Sequence, residues 1–175
     1  METAEKLLID GLAKLGIKPS DSVISIFEKY LHELKKWSRA YNLTALKKDE
    51  DIVTKHFLDS LLYLSVIPEG RWSICDIGSG AGFPGLPIAI VRHELNITLI
   101  EPSWKKAAFL KHMKRTLSIA NVEVLQSRAE DIKEKTFDIA VTRALLSISD
   151  LIKKAGHLVK KHGFFILNKG PKFEE

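Results

Sequence analysis

The chain has 175 residues, of which 45% are hydrophobic and 28% are charged, the composition of a soluble globular protein with a sizeable core. Its net charge of +5 is compatible with a polyanionic partner but does not require one. The single Cys75 cannot form an internal disulfide, and neither a leader peptide nor an apolar run of about 18 residues is present, so we expect a cytoplasmic protein without membrane contact.

Residues 1–70 are predicted to form an N-terminal helical region. Four leucines at helical spacing indicate a first helix that ends at Gly16. A second helix opens at residues 19–21 and carries a long apolar stripe. After a break at residues 41–44, a third helix passes through residues 52–62. The boundary with the rest of the chain is a change of pattern, without a flexible linker.

Residues 71–175 alternate between short β-rich runs and helical segments. The predicted strands are 72–77, 96–101, 122–126, 137–142 and 163–168, and the predicted helices are 85–93, 103–118 and 147–160. This alternation predicts an α/β fold, a Rossmann-like parallel sheet with helices on its faces. Ligands of such sheets bind beyond the carboxyl ends of the strands.

The first predicted strand runs into a glycine-rich turn in which two ligand-binding patterns overlap. Gly80-x-Gly82-x-x-Gly85 is the pattern of dinucleotide-binding turns, whereas Asp76-x-Gly78-x-Gly80-x-Gly82 is that of S-adenosylmethionine methyltransferases. Glycines let the backbone approach a ligand closely and offer it amide groups. Both patterns need a strand before the turn and a helix after it, so that context does not separate them.

Asp76 favours one of these two cofactors. A carboxylate repels the anionic pyrophosphate of a dinucleotide and attracts the cationic ammonium group of a methionine. The turn is therefore interpreted as a site for S-adenosylmethionine, with a NAD-binding oxidoreductase as the less favoured alternative. Glu101 ends the second strand about 20 residues past the turn, where an acid accepts hydrogen bonds from both ribose hydroxyls. Both cofactors predict this acid, so it indicates a nucleoside without choosing one.

The ends of the third and fourth strands supply further candidates. Residues 125–131 lie where an adenine edge is expected, although a solvated charged loop explains them equally well. The fourth strand ends in Thr142-Arg143-Ala144, at the position that usually faces the methyl acceptor. Arg143 can hold the methionine part of the cofactor or the acceptor and its phosphate, or form a surface ion pair.

Several motifs of other methyl-transfer reactions are missing from the sequence. There is no Asp/Asn-Pro-Pro-aromatic motif for an exocyclic amine, and no cysteine follows the fourth strand to attack carbon-5 of a pyrimidine. No His/Cys cluster has metal-ligand spacing, so we expect no metal. The remaining acceptor is a nucleophile with a free lone pair, such as nitrogen-7 of guanine, which requires mainly alignment.

Basic residues concentrate on two predicted helices. They are Lys35, Lys36 and Arg39 on the second helix, and Lys105 and Lys106 after Glu101. Aromatic residues accompany both groups, an arrangement that can hold phosphates and stack bases, although lysine-rich helix faces are commonly only solvated. On sequence alone, a histidine such as His56 is more often a capping or core residue than a catalyst, and the same holds for Asn42.

Together these segments resemble one family, the bacterial small-subunit ribosomal RNA methyltransferase G, also called glucose-inhibited division protein B. The resemblance rests on Trp37 and on residues 41–44, 56–61, 76–85, 101–106, 127–130 and 142–144. The glycine motif alone would not be specific, but the combination is. The resemblance implies S-adenosylmethionine as cofactor, 16S ribosomal RNA or the 30S subunit as partner, and methylation of guanine nitrogen-7.

The resemblance also implies site residues. Carried over by position, the cofactor contacts of the family fall on Gly78, Phe83, Ala129, Glu130 and Arg143. They join Asp76, Gly80 and Gly82 of the turn and Glu101 at the end of the second strand. Asn42 and His56 lie in the matched region, which suggests a role near the RNA or the cofactor mouth and makes them catalytic candidates with Arg143.

Three expectations stay open at this point. A non-catalytic RNA-binding assembly factor is the alternative to an enzyme, and a monomer is expected. Residues 169–175 follow the fifth strand closely, whereas methyltransferase sheets of this type usually finish with a helix and an antiparallel hairpin. Without that hairpin, the strand at residues 164–167 would be a bare edge. A short family member, a truncated chain or another covering contact would each explain this.

Overall fold

The computed structural model describes residues 2–143 and 147–168. The strands are β1 (Ser73–Ile77), β2 (Asn96–Ile100), β3 (Val122–Leu125), β4 (Phe137–Arg143) and β5 (Val159–Asn168). The helices are α1 (Glu2–Lys14), α2 (Asp21–Tyr41), α3 (Asp49–Ile52), α4 (Asp59–Leu61), α5 (Gly85–Val91), α6 (Trp104–Thr116) and α7 (Ile148–Ala155). A π-helical segment spans Val53–Leu58, and 3₁₀ turns span Leu62–Ser65, Ala129–Asp131 and Gly156–Leu158. Ala144 and residues 169–175, which carried two of the expectations above, lie outside the described residues.

The five strands form one parallel sheet in the order β3-β2-β1-β4-β5. Ile77 lies opposite Ile100 on β2, and Asp76 lies opposite Val141 on β4. The order of the strands reverses at β1, so the crevice beyond the carboxyl ends of β1 and β4 is the expected ligand position. The predicted α/β fold is confirmed.

The N-terminal helices pack against one face of this sheet. Because side chains alternate along a strand, Ile74 and Leu99 belong to one buried cluster and Cys75 and Ile100 to another. The first and larger cluster also contains Phe27 and other apolar residues of α1 and α2. The apolar stripe predicted for the second helix therefore lies in the core shared with the sheet, where α2 packs against α1, α5 and α6.

The start and the end of α2 follow the predicted signals. Ser20 is the N-cap, and its hydroxyl accepts a hydrogen bond from the amide of Val23 at 3.4 Å. Asn42 ends the helix in the left-handed conformation, with φ of 49°, and its amide donates to the carbonyl of Ser38 at 3.1 Å. Asparagine tolerates this conformation better than most residues, which explains the break at residues 41–44.

Three predicted elements were wrong in detail. The third helix is not one regular helix, because α3 and α4 flank the π-helical segment that carries His56. The helix predicted at 147–160 ends at Ala155, and β5 begins four residues before its predicted start, with Val159 opposite Phe137. A register shift follows Phe137, and His162 has φ of 73°. This irregularity and the polar residues beside it concealed the strand pattern.

No described helix is both long enough and apolar enough to cross a membrane. Among the described residues, β5 pairs only with β4 and is one edge of the sheet. Its Phe164 is 38% exposed. The division of the chain at residue 70 stays a prediction, since the N-terminal helices share the larger buried cluster with the sheet.

Candidate functional site

Asp76 is completely buried near the end of β1. Its Oδ2 accepts a hydrogen bond from the amide of Gly85 at 2.9 Å, whereas its Oδ1 has no hydrogen-bond partner among the described residues. Burial, reinforced by the nearby Glu101 carboxylate, raises the pKa of Asp76 to about 7. An unpartnered buried oxygen costs free energy, so this carboxylate is poised to accept a donor group from a ligand.

Glycine is required at different positions of the turn for different physical reasons. Gly78, Gly80 and Gly82 have positive φ angles of 72°, 59° and 98°. A Cβ on Gly78 would meet no atom within 4 Å, so open space lies beside the backbone there. A Cβ on Gly82 would lie 2.6 Å from the hydroxyl of Tyr30, and one on Gly85 would lie 2.8 Å from Oδ2 of Asp76. Gly82 and Gly85 are therefore required by packing within the protein.

Most amide groups of the turn donate within the protein and are not free for a ligand, contrary to expectation. The amide of Gly78 donates to the carbonyl of Ile100 at 2.9 Å, and that of Gly82 donates to the carbonyl of Ser79 at 2.7 Å. The amides of Ser79, Gly80 and Phe83 also donate to protein oxygens. A pyrophosphate needs a set of unpaired amides. Their use within the turn argues against the dinucleotide alternative, independently of the charge of Asp76.

Glu101 connects the turn to the end of β2 and the start of α6. It is only 4% exposed, and its Oε2 accepts a hydrogen bond from the amide of Gly80 at 2.8 Å. Its Oε1 accepts from the amide of Ser103 at 2.9 Å. A carboxylate oxygen has two acceptor lone pairs, so each oxygen retains capacity for one ribose hydroxyl. The position predicted for a ribose-binding acid therefore suits that role.

Phe83 is the centre of an aromatic stack beside the turn. Its ring is nearly parallel to that of Tyr30, with 5.4 Å between centroids and 11° between planes. The ring of His56 stacks against it at 4.5 Å and 22°. Phe83 is 5% exposed, and the guanidinium carbon of Arg143 lies 5.3 Å from its centroid. The stack therefore brings together Phe83, His56 and Arg143, which the sequence could only name separately.

Arg143, at the end of β4, reaches across to the segment that carries His56. One guanidinium nitrogen donates to Nδ1 of His56 at 3.0 Å, and the other contacts Oδ2 of Asp59 at 3.3 Å. The side chain of Asn168, at the end of β5, donates to Oδ1 of Asp59 at 3.3 Å. Asp59 was missed as a site residue, although it lies in a matched segment, because its partners are distant in sequence.

His56 is a neutral hydrogen-bonding residue in this arrangement. Guanidinium groups only donate, so we assign Nδ1 as the acceptor from Arg143 and Nε2–H as the donor to the hydroxyl of Thr44 at 2.8 Å. The same Nδ1 also lies 3.1 Å from the carbonyl of Lys55, which the opposite tautomer would bind. Burial first, and then the charge of Arg143, lower the pKa of His56 to about 4. His56 is thus neither a phosphate-binding cation nor a base with a pKa near 7.

The remaining predicted residues lie around this centre. Ala129 is buried and Glu130 half-buried in the turn that follows β3, next to the end of β2. This turn is in a suitable position for the predicted contact with adenine, but the roles of Ala129 and Glu130 stay predictions. Asn42 is exposed and caps α2, so its predicted role near RNA is untested.

The basic residues of α2 lie beside a cavity of about 460 Å³ between α1, α2 and the π-helical segment. Lys35 pairs with Asp49 at 2.5 Å, while Lys36 and Arg39 are exposed at its rim. No residue of the glycine turn lines this cavity, so it is separate from the site above. Within the described residues, no three His, Cys, Asp or Glu side chains are grouped to hold a metal ion.

Replacement of Tyr30 by phenylalanine should weaken cofactor binding. Tyr30 is completely buried and donates to the carbonyl of Ala81 in the turn at 2.6 Å. The loss leaves that carbonyl unpaired, and we expect about 1–3 kcal/mol less stability against urea together with roughly threefold to tenfold weaker binding of S-adenosylhomocysteine by calorimetry. Tyr63→Phe is the control, because Tyr63 donates at 2.8 Å to Thr142 outside the turn. Equal cofactor affinities in both variants would contradict a role of Tyr30 in positioning the turn.

Comparison with known proteins finds relatives over most of the chain. The family model of rRNA small subunit methyltransferase G matches residues 23–175. The ribosomal RNA small subunit methyltransferase G of Neisseria meningitidis is 38% identical over 170 residues, which are 97% of this chain and 81% of the relative. That of Nitrosospira multiformis is 41% identical over 152 residues, which are 86% of this chain and 69% of the relative.

Solved structures share the fold. Coclaurine N-methyltransferase bound to N-methylheliamine and SAH has a TM-score of 0.60 at 20% identity, over 95% of this chain and 57% of that one. A SAM-dependent methyltransferase of Thiobacillus denitrificans in complex with S-adenosyl-L-homocysteine has a TM-score of 0.51 at 18% identity, over 62% of this chain and 47% of that one. The chain thus spans little more than half the length of the first structure. At these identities the likeness shows the fold alone, that of class I S-adenosylmethionine-dependent methyltransferases.

The family match covers the glycine turn, both carboxylates and the arginine at the end of β4. Two of the relatives cover 97% of the chain at 37–38% identity. On this evidence, the chain belongs to the ribosomal RNA small subunit methyltransferase G family.

Proposed function

We propose that the chain transfers a methyl group from S-adenosylmethionine to nitrogen-7 of a guanine in 16S ribosomal RNA of the small subunit, in the cytoplasm. The observation that carries the proposal is a glycine turn flanked by two buried carboxylates, Asp76 and Glu101, with Arg143 at the end of the neighbouring strand. The family name supplies ribosomal RNA and the small subunit. The assignment of guanine nitrogen-7 as the methyl acceptor is based on the family resemblance and on the absence from the sequence of the motifs used for other acceptors.

The described residues fit the cofactor. The unpartnered Oδ1 of Asp76 can accept from the methionine ammonium group, and the open space beside Gly78 admits a ligand against the backbone. Glu101 would bind the ribose, while Ala129 and Glu130 would contact the adenine. When bound, S-adenosylmethionine supplies an electrophilic methyl group on a positively charged sulfur. Electrostatic and hydrogen-bonding contacts from these residues would hold it in one orientation.

The residues at the end of β4 would align the acceptor. Nitrogen-7 of guanine has a free lone pair, so no base must remove a proton from it. Arg143 keeps donors that are not all satisfied by His56 and Asp59, and it can bind the guanine or its phosphate. His56, whose Nδ1 accepts from Arg143, would act as a positioning residue. Asn42 is proposed to contact the RNA beside them.

The basic side chains of α2 and α6 are proposed to bind RNA phosphates. Lys36, Arg39 and Lys105 are exposed, and Lys106 is half-buried. Lys35 is less available, since it pairs with Asp49. Each phosphate contact would weaken with salt because counterions are released when it forms.

Methylation of purified 30S particles that lack the modification tests the proposal. The particles, or naked 16S RNA, are incubated with the protein and methyl-labelled S-adenosylmethionine, and the RNA is digested and analysed by mass spectrometry. We expect label in 7-methylguanosine. Label in another nucleoside would reject the guanine assignment. Bound S-adenosylhomocysteine with no transfer to either RNA would favour a non-catalytic assembly factor.

A further inference from the structure

Two large aromatic side chains are exposed on neighbouring helix ends. Trp104, the first residue of α6, is 61% exposed, and Tyr41, the last residue of α2, is 39% exposed. A single exposed apolar side chain is ordinary, but neighbouring exposed aromatic rings rimmed by charged residues form the kind of patch that binds a partner. The fold brings them together, because the ammonium group of Lys105 lies 5.7 Å from the centroid of each ring.

A partly buried layer of side chains lies beneath Tyr41. Trp37, one helical turn before Tyr41, packs against the ring of Tyr41 at 5.6 Å and against the fully buried Phe109 of α6 at 5.5 Å. His112 of α6 lies 5.2 Å from Trp37 and contacts Glu33 of α2 at 2.6 Å. These contacts join the end of α2 to α6 and pack Tyr41 against Trp37, so the ring of Tyr41 needs little further ordering when it binds a partner.

The exposed pair lies close to the cofactor site. The amide of Ser103, directly before Trp104, donates to Oε1 of Glu101 at 2.9 Å. The other oxygen of Glu101 holds the amide of Gly80 in the glycine turn. A ligand on Trp104 would therefore be a neighbour of any nucleoside held by Glu101.

We infer that Tyr41, Trp104 and Lys105 form a stacking platform for an unpaired base of the RNA substrate. Aromatic rings stack on unpaired bases, whereas a base inside a duplex does not expose its face. Lys105 adds a cation for the adjoining phosphate, and the exposed Arg39 lies near the end of α2. The inference rests on the proposed function in one respect, since it takes RNA to be the substrate.

Direct binding of short RNA tests the platform without requiring methyl transfer. A fluorescein-labelled single-stranded oligoadenylate and a duplex of equal length are titrated with the wild-type protein, Trp104→Ala and Trp104→Phe. We expect Trp104→Ala to weaken single-strand binding about tenfold and duplex binding little, and Trp104→Phe to retain most of the affinity. Ile152→Ala is the matched control, because Ile152 is 53% exposed on α7, and it should bind like the wild-type protein.

Several readouts keep the test decisive. All variants should retain thermal stability and affinity for S-adenosylhomocysteine, since Trp104 is largely exposed. In 30S methylation, Trp104→Ala should raise the KM for the particle and leave the KM for S-adenosylmethionine unchanged. Equal losses for single-stranded and duplex RNA, or no loss for either, would overturn the inference. So would weaker 30S binding with unchanged oligonucleotide binding, which would indicate a protein partner. If the wild-type protein failed to methylate 30S particles but Trp104→Ala still lost single-strand binding selectively, the proposed function would be rejected and the stacking platform retained.

Discussion

Replacement of Asp76 by asparagine is expected to weaken binding of S-adenosylhomocysteine by about tenfold or more and to leave the fold intact. The side-chain oxygen of asparagine can still accept from the amide of Gly85. The substitution removes the negative charge, however, and places an NH₂ group, which only donates, at the position of the unpartnered Oδ1. The methionine ammonium group of the ligand would then meet no carboxylate. Calorimetric titration of both proteins measures the effect.

Asp138→Asn is the control for that measurement. Asp138 lies on β4, bonded to Ser73 and Lys160 at the opposite end of the sheet, and these contacts lower its pKa to about 2. We expect this variant to lose stability but to keep its affinity for S-adenosylhomocysteine. An unchanged affinity in Asp76→Asn would show that the carboxylate does not bind the ligand.

The same substitution should change how stability depends on pH. Burial raises the pKa of Asp76 from 3.8 to about 7, so the folded protein binds this proton more tightly than the unfolded chain. The stabilisation is complete below about pH 4 and is lost as pH rises to about 7, by about 4 kcal/mol as an order of magnitude. The difference in unfolding free energy between wild type and Asp76→Asn should therefore fall over this range, measured by urea unfolding.

His56 acts in the opposite direction in the same pH range. Its pKa is lowered to about 4 from 6.5, so its contribution is present above pH 6.5 and is lost as pH falls. The unfolding free energy of the wild-type protein should therefore change little with pH over this range. Only its difference from that of Asp76→Asn reports the contribution of the Asp76 carboxylate. A difference that stays constant between pH 4 and pH 7 would mean that Asp76 ionises normally.

Replacement of Gly82 by alanine should destabilise the protein by about 3 kcal/mol or more. Gly82 has φ of 98°, and a Cβ would lie 2.6 Å from the hydroxyl of Tyr30 and closer still to Leu86. Strain and overlap therefore add. Gly80→Ala is the matched control, because φ is 59° and the nearest atom to its Cβ would be 3.8 Å away. We expect only about 1 kcal/mol for this control.

Urea unfolding of both variants provides the comparison. Similar losses for Gly82→Ala and Gly80→Ala would indicate that backbone conformation alone sets the requirement for glycine. A larger loss for Gly82→Ala would indicate that Tyr30 of α2 and Leu86 of α5 together pack directly on the turn. This result would also explain why the N-terminal helices are part of the cofactor site.

Local signals in the sequence were sufficient to predict the sheet and much of its ligand edge. Short apolar runs between helical segments identified all five strands within a few residues at most ends. Asp76 and Glu101 were recognised because each ends a strand, and the ends of parallel strands meet at one edge. The Ser20 cap and the break at Asn42 follow from side-chain chemistry within a few residues.

Contacts between distant segments explain what was missed. The hydroxyl of Tyr30 binds a carbonyl 51 residues away, and Arg143 binds His56 at a separation of 87 residues. The apolar stripe of α2 placed Tyr30 in the core but gave no partner for its hydroxyl. The amides of the turn were expected to face a ligand, yet neighbouring carbonyls and Glu101 accept them, which only the folded arrangement reveals.

Titration of the wild-type protein with S-adenosylhomocysteine and, separately, with NADH tests most directly whether the glycine turn, Asp76 and Glu101 hold a methyl donor. We expect one S-adenosylhomocysteine to bind per chain, with a marked loss of affinity in Glu101→Gln, and no heat of binding from NADH. Tight binding of NADH without binding of S-adenosylhomocysteine would contradict the assignment of this site.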